Sequence, residues 1–306
     1  MIEVRGVTKR YGRSLAVDDL SFQVRTGQVT GFLGPNGAGK STTMRMILGL
    51  DRPSSGAALV DGRPYRSFRR PLHKVGALLD ASAFHPGRTA RDHLRAIALS
   101  NGISPARVAH VLGQVGLDPV AGKRAGTFSL GMKQRLGIAA ALLGDPELLM
   151  FDEPVNGLDP EGVLWIRTLI RGLAAEGRTV FVSSHLMSEM ESTADHLVVV
   201  GRGRLIADLP IRELIAAASG AHVVVRVAAE HRPAMISALS AGGAQITLEP
   251  DGALKVAGMD AAGAGALAHA CGIPLAELSP RRSSLEDAYF ELTEDAVEYR
   301  AKEVAA

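Results

Sequence analysis

The chain has 306 residues, of which 46% are apolar and 22% charged, with a formal net charge of +2. That length holds one large or two ordinary domains with real cores, and the composition excludes a disordered or fibrous chain. The charge is too small to argue for a nucleic-acid partner, and the single cysteine, Cys271, excludes an intrachain disulfide and is expected as a buried, inert thiol.

Of 34 basic residues, 27 are Arg and seven Lys, scattered except for Arg66, Arg69 and Arg70, which reads as compositional bias rather than a polyanion site. The opening Met1-Ile2-Glu3-Val4-Arg5 lacks the apolar core of a secretory signal, and no run approaches the ~18 apolar residues of a membrane span. The chain is therefore expected in the cytoplasm, and any work at a membrane needs another polypeptide to cross it.

Residues 1–30 predict short strands, with Ile2 and Val4 alternating against Glu3 and Arg5, a second alternation over Leu20–Val24, and a turn at Tyr11-Gly12-Arg13. Asp18 and Asp19 read as a solvated turn. The strand Gln28–Leu33 runs into Gly34-Pro35-Asn36-Gly37-Ala38-Gly39-Lys40-Ser41-Thr42, which fits G-x-x-x-x-G-K-[ST]. Glycines there let backbone N–H groups converge on phosphates, Lys40 can reach the outer phosphates, and the Ser41 hydroxyl can ligate Mg²⁺. A helix expected from Lys40 to Leu50 aims its positive end at the same anion.

Further strands are expected at Ala57–Val60, before the Asp61-Gly62 turn, and at Val75–Leu79. Helices follow at Ala90–Ser100, Pro105–Val115 and Ser129–Leu143, punctuated by Gly102, Gly116 and Pro119. Strands and helices then alternate: Glu147–Phe151, Pro160–Glu176, Thr179–Ser183, Leu186–Asp195 and His196–Val200. Such alternation implies an α/β fold with a mainly parallel sheet covered on both faces. The small residues 216–221 read as a linker. Beyond it, strands at Val223–Val227, Ala244–Leu248, Leu254–Val256 and Ile273–Leu278, with helices at Arg232–Ser240 and Ala261–Cys271, give a β-α-β-β-α-β order. That order suggests a small ferredoxin-like α+β domain. A closing helix is expected from Ser284, capped by Ser283 or Ser284.

Two further segments carry chemistry. Leu148-Leu149-Met150-Phe151-Asp152-Glu153 is an apolar strand ending in two carboxylates, at the edge where open α/β sheets bind ligands. Asp152 can hold Mg²⁺ opposite Ser41, and Glu153 can orient or deprotonate a water. Ser129, before Leu130-Gly131-Met132, caps a helix that can present backbone donors to a phosphate; taken alone, it reads rather as an ordinary cap. Trp165 and Phe181 read as core packing.

This ordered set resembles the ATP-binding subunit of ABC transporters, over residues 1–215. Residues 34–42 are similar to its Walker A loop and 148–153 to its Walker B strand, and Tyr11 matches the aromatic that stacks on adenine. Ser129-Leu130-Gly131-Met132 matches the family signature, Asn156-Gly157-Leu158-Asp159 the loop crossing the dimer interface, and His185 the switch histidine. Residues 284–293 resemble the ends of drug- and antibiotic-exporter ATPases. Two departures stand out: Asp80 occupies a position where the family carries Gln, and Leu130 and Met132 replace Gly and Gln in the signature. Both look like the exporter branch.

The resemblance implies a P-loop NTPase core with a helical subdomain at about 86–143, followed by an accessory domain over 216–306. It implies ATP and Mg²⁺ as ligands, with Glu153 and His185 catalytic, and Ser41, Asp152 and Asp80 around the metal. Nucleotide contacts are implied for Tyr11, residues 34–42, Ser129, Gly131 and Asp159. The implied partners are a second copy, packed head to tail, and a separate transmembrane permease, with no nucleic acid. The chain would sit peripherally on the inner face of the cell membrane, driving export. Two alternatives stay open: a soluble ABC ATPase acting on ribosomes or nucleic acid, disfavoured by the single cassette and the absence of heptads, and a non-enzymatic sensor, disfavoured by intact Lys40, Asp152, Glu153 and His185.

Overall fold

The computed structural model describes residues 1–217 and 222–281 together with Leu285, Glu286 and Tyr289. It divides into two compact units, Met1–Ile211 and a second that begins at Arg212. The chain opens with β1 (Ile2–Tyr11) and β2 (Ser14–Val24), an antiparallel pair folded about Gly12, whose φ is +58°. Strand β3 (Val29–Leu33) feeds the loop before helix α1 (Lys40–Ile47), and β4 (Ser55–Val60) returns to the free side of β1. Strand β5 (Val75–Leu78) leads to three helices, α2 (Ala90–Ser100), α3 (Pro105–Gln114) and α4 (Leu130–Leu142). Their starts are set locally: the hydroxyls of Thr89, Ser104 and Ser129 accept the N–H of Asp92, Ala106 and Met132.

The rest of the unit alternates β6 (Leu148–Asp152), α5 (Pro160–Ala175), β7 (Thr179–Ser184), α6 (Met187–Thr193) and β8 (His196–Gly201). Strand β9 (Arg204–Pro210) closes it, and α7 (Ile211–Ala217) spans the division between the units. The main sheet runs β5-β6-β7-β3-β8-β9, parallel except for β9. Strands β3, β7 and β8 are buried along their whole length, as their nearly unbroken apolar runs require of central parallel strands. Phe22 of the smaller sheet packs on Phe32 and Phe181 of the larger, with ring centroids 5.1–5.8 Å apart, and these rings sit in the main core. Among the described residues no helix is long and apolar enough to cross a membrane.

The second unit is built from β10 (His222–Val227), α8 (Arg232–Ala241), β11 (Gln245–Leu248), β12 (Leu254–Ala257), α9 (Ala261–Ala270) and β13 (Leu275–Arg281). Its antiparallel sheet has the order β11-β12-β10-β13, the ferredoxin-like arrangement expected of a β-α-β-β-α-β chain. Alternate residues Val223, Val225 and Val227 of β10 face Met235 and Leu239 of α8 and Ala264 and Ala268 of α9.

Several expectations are corrected. Asp18 and Asp19 lie within β2 rather than in a solvated turn: Asp19 takes a left-handed φ of +50° where the β1–β2 register shifts, and Asp18 holds Arg204. Cys271 is exposed, because it stands one residue past Ala270, where α9 ends. Trp165 is half-buried under an arginine, whereas Phe181 is a core residue. Strand β9 and helix α7 were not predicted, since β9 is a half-exposed edge strand without clean alternation. Helix α1 stops at Ile47, short of Leu50, where Gly49 turns left-handed. Of the linker expected at 216–221, Ala216 and Ala217 end α7 and the remainder lies outside the described residues. So do the caps Ser283 and Ser284 and most of the expected closing helix.

Candidate active site

Parallel pairing sets Leu33, at the end of β3, beside Ser184 of β7, and Asp152, at the end of β6, beside Ser183. The loop after β3 and the carboxylates after β6 therefore share one edge of the sheet, with the end of β7 between them. Two loop glycines are obligatory. A methyl group on Gly34 would lie 2.3 Å from the Val200 carbonyl oxygen. Gly39, at φ +95°, would place one 2.6 Å from that of Ala16. Gly37 is left-handed as well, at +83°. These constraints curl 34–39 into a nest that delivers the chain to the N-terminus of α1.

Lys40, 5% exposed, folds back over this nest, donating to the Gly34 carbonyl at 2.7 Å and the Pro35 carbonyl at 3.2 Å. Its Nζ is 3.3 Å from Glu153 Oε1. Ser41 is exposed at the helix start, and Thr43 anchors the first turn to the Gly39 carbonyl at 2.9 Å.

Glu153 is the hub of the site. Its φ of +47° is left-handed, which is strained for a non-glycine residue. Its N–H donates to Ser183 Oγ at 2.9 Å, and the same hydroxyl donates to Asp152 Oδ1. Asn156 Nδ2 donates to Glu153 Oε2, and His185 Nδ1 lies 2.7 Å from that oxygen. Burial pushes the Glu153 carboxyl up, but the Asn156 hydrogen bond, the Lys40 charge and His185 together outweigh it and hold it below the usual glutamate range. The arrangement keeps one carboxylate ionised and oriented at the lip of a phosphate nest.

The remaining expected residues fall around this centre. Tyr11 is 48% exposed, and its hydroxyl donates to Asp51 at 2.9 Å. Lys9 stands 4.7 Å above its ring, so a flat ligand would stack on the other face. Asp80 is exposed past β5, where its carboxylate accepts the Ser82 N–H at 2.7 Å. Among the described residues none of its hydrogen bonds reaches Ser41 or Asp152. Ser129 caps α4, and Asp159 caps α5 by accepting the Gly162 N–H at 2.9 Å. No hydrogen bond joins Ser129, Gly131 or Asp159 to residues 34–42 among the described residues. Sequence reasoning missed Ser183 as the bridge under both carboxylates and Asn156 as a partner of Glu153. A serine ending a fully buried strand was the available signal for Ser183.

The profile of the ABC transporter family matches residues 17–156. The bacitracin transport ATP-binding protein BcrA of Bacillus licheniformis is 44% identical over 217 residues, 70% of this chain and 71% of its own length. The chain belongs to the ABC transporter family. It is an ABC-type ATPase subunit, and the family is also evident from the lantibiotic transport ATP-binding protein SrtF of Streptococcus pyogenes. That protein is 36% identical over 208 residues, 68% of this chain and 90% of its own. A solved ATP-binding subunit of an ABC transporter superposes with a TM-score of 0.64 at 28% identity, covering 70% of this chain and 91% of that one. An AAA domain profile overlaps the ATPase at 123–191, and the profile of a domain of unknown function matches residues 223–286.

Proposed function

We propose that this ABC ATPase subunit binds ATP with Mg²⁺ at residues 34–42, Ser41 and Asp152. It hydrolyses ATP with Glu153 as base and drives export through a separate membrane-spanning subunit. The observation that carries the reading is the Glu153 carboxylate, gripped by Lys40, His185 and Asn156 beside the phosphate nest. Among the described residues no cluster of three His, Cys, Asp or Glu could hold a metal by itself. Ser41 and Asp152 instead offer hard oxygen donors in the small number that suits Mg²⁺ bound together with substrate phosphates. Mg²⁺ would supply charge neutralisation across those phosphates.

Each side chain then has a defined task. Lys40 has carbonyls and Glu153 as interim partners, which the outer phosphates replace. Glu153 accepts a proton from the water that adds to the terminal phosphorus as the bond to the leaving diphosphate breaks. His185 and Asn156 fix the orientation of that carboxylate, and Ser183 fixes its backbone. Tyr11 stacks on the adenine, and Asp80 would ligate the metal through water. Ser129, Gly131 and Asp159 serve the nucleotide of a second copy packed head to tail, consistent with their lack of hydrogen bonds to this chain's own loop. ATP binding closes the dimer and hydrolysis reopens it.

We assign the ATPase to residues 1–215, with the helices between 86 and 143 passing the motion to the membrane partner, and an accessory role to 216–306. The relatives named for bacitracin and lantibiotic transport support export, with the chain peripheral on the inner face of the cell membrane. The test is co-expression with candidate membrane subunits and measurement of Mg²⁺-dependent ATP hydrolysis in reconstituted membranes. Stimulation by one partner, lost in Glu153→Gln, is the expected result. Full ATPase activity in solution without association to any membrane subunit would overturn the transporter reading.

A further inference from the structure

Helices α4 and α5 begin at the two caps assigned to the second copy, Ser129 and Asp159, and α4 touches first the loop leading into α5 and then α5 itself. At their starts, Leu130 lies over the loop before Asp159. A methyl group on Gly157 would fall 2.6 Å from Leu130 Cδ2, and one on Gly131 would fall 3.6 Å from Leu158 Cδ2. Further along, the Arg135 guanidinium stacks on the Trp165 ring at 4.0 Å. Each partner of that stack stands six positions past its cap, 129 to 135 and 159 to 165. Arg135 also donates to the Val115 carbonyl, just past α3, at 2.9 Å, so the guanidinium plane is fixed from a third element.

The chemistry suits a clamp. Both side chains are half-buried, so the stack is shielded from water without the desolvation cost of a fully buried charge. Arg presents a flat, always-charged plane to an indole, the strongest aromatic partner for a cation. Among the described residues no hydrogen bond or ion pair joins Arg135 or Trp165 to residues 34–42 or Glu153, so binding and hydrolysis at the chain's own loop do not depend directly on the stack.

We infer that the Arg135–Trp165 stack, with Leu130 seated on Gly157 and Gly131 beside Leu158, clamps the helix headed by Ser129 to the helix headed by Asp159, so that both surfaces offered to the second copy move as one piece. Arg135 and Trp165 are positioning residues. The inference rests on the head-to-tail dimer proposed above. Without the clamp each helix start must be ordered separately on dimerisation, and that ordering weakens association.

Trp165 is the cleaner handle, because removing Arg135 also strands the Val115 carbonyl. Two readouts separate the clamp from its use. In the monomer, amide exchange over 129–134 and 157–162 accelerates in Trp165→Leu but not in Trp165→Phe. In a Glu153→Gln background, Trp165→Leu weakens ATP-driven dimerisation about fivefold or more at unchanged ATP affinity of the monomer, and Trp165→Phe recovers most of it. Arg135→Met, which keeps side-chain length, reproduces the leucine variant. As the only tryptophan in the chain, Trp165 also reports the stack by a shift of its emission in Arg135→Met. Unchanged exchange at both helix starts, or a loss of monomer ATP affinity as large as the loss of dimerisation, overturns the inference. If Glu153→Gln itself stays monomeric with ATP, the dimer reading fails, and the exchange measurement alone decides whether the clamp exists.

Discussion

Ser183→Ala tests whether the strained Glu153 backbone is held by one buried hydroxyl. Ser183 is fully buried and bridges two groups, donating to the Asp152 carboxylate and accepting the Glu153 N–H. A hydrogen bond to a charged group contributes about 1.5–3 kcal/mol, and the neutral one about 1 kcal/mol. Water entering the vacated space recovers part of this, leaving a net loss of about 2 kcal/mol. For a unit of this size, each kcal/mol lowers Tm by about 2–4 °C, so calorimetry should show a fall of about 4–8 °C. Activity should fall further than stability implies. Glu153 stands at φ +47°, a conformation costing about 1–3 kcal/mol that persists only while its surroundings enforce it. Once its N–H anchor is gone, the backbone relaxes and the carboxylate leaves Lys40 and His185. Steady-state kcat should drop about ten- to a hundredfold while ATP affinity, set by residues 34–42, changes little. A variant with native Tm and native kcat would refute the claim that Ser183 holds both carboxylates.

Glu153→Gln should bind ATP, remain dimeric with it and lose at least about a hundredfold in turnover, measured by phosphate release and gel filtration. Because Glu153 is held below the ordinary glutamate value, its ionised form favours the folded state at neutral pH. That contribution disappears only as pH falls through the lowered value, below 4.5. Asn156→Ala removes one donor to the carboxylate, so the acid limb of kcat/KM and the onset of acid destabilisation should both move to higher pH in parallel titrations. Gly157→Ala should cost about 1 kcal/mol in chemical denaturation from its left-handed φ of +71°, plus a steric share against Leu130 that the double variant with Leu130→Ala removes.

The chemistry of this protein was legible in one dimension because each motif is local. A glycine-rich loop between an apolar strand and a helix announces a phosphate nest, and an apolar strand ending in Asp152-Glu153 announces its partner. Helix starts were legible for the same reason, since Thr89, Ser104, Ser129 and Asp159 cap within three residues of themselves. The parallel sheet followed from nearly unbroken apolar runs at β3, β7 and β8, and the β-α-β-β-α-β order of the second unit from its punctuation. Elements without such signals were missed: β9 is a half-exposed edge, and the exposure of Cys271 depends on where α9 ends.

Which groups meet was settled in three dimensions. The strand order β6-β7-β3 carries Ser183 under Asp152 and Glu153 and brings Lys40 to within 3.3 Å of the latter, although more than a hundred positions (40 to 153) separate them in the chain. Crossover connections in a parallel sheet make neighbours of strands that are remote in sequence, so no local pattern encodes those contacts. The same holds for Arg135 and Trp165, whose meeting depends on how α4 lies against α5. Sequence alone determined which residues could handle a phosphate. Packing decided that Glu153 would be strained, ionised and held by Lys40, Asn156 and His185, because left-handed backbone and a lowered pKa both require neighbours that only the folded sheet assembles.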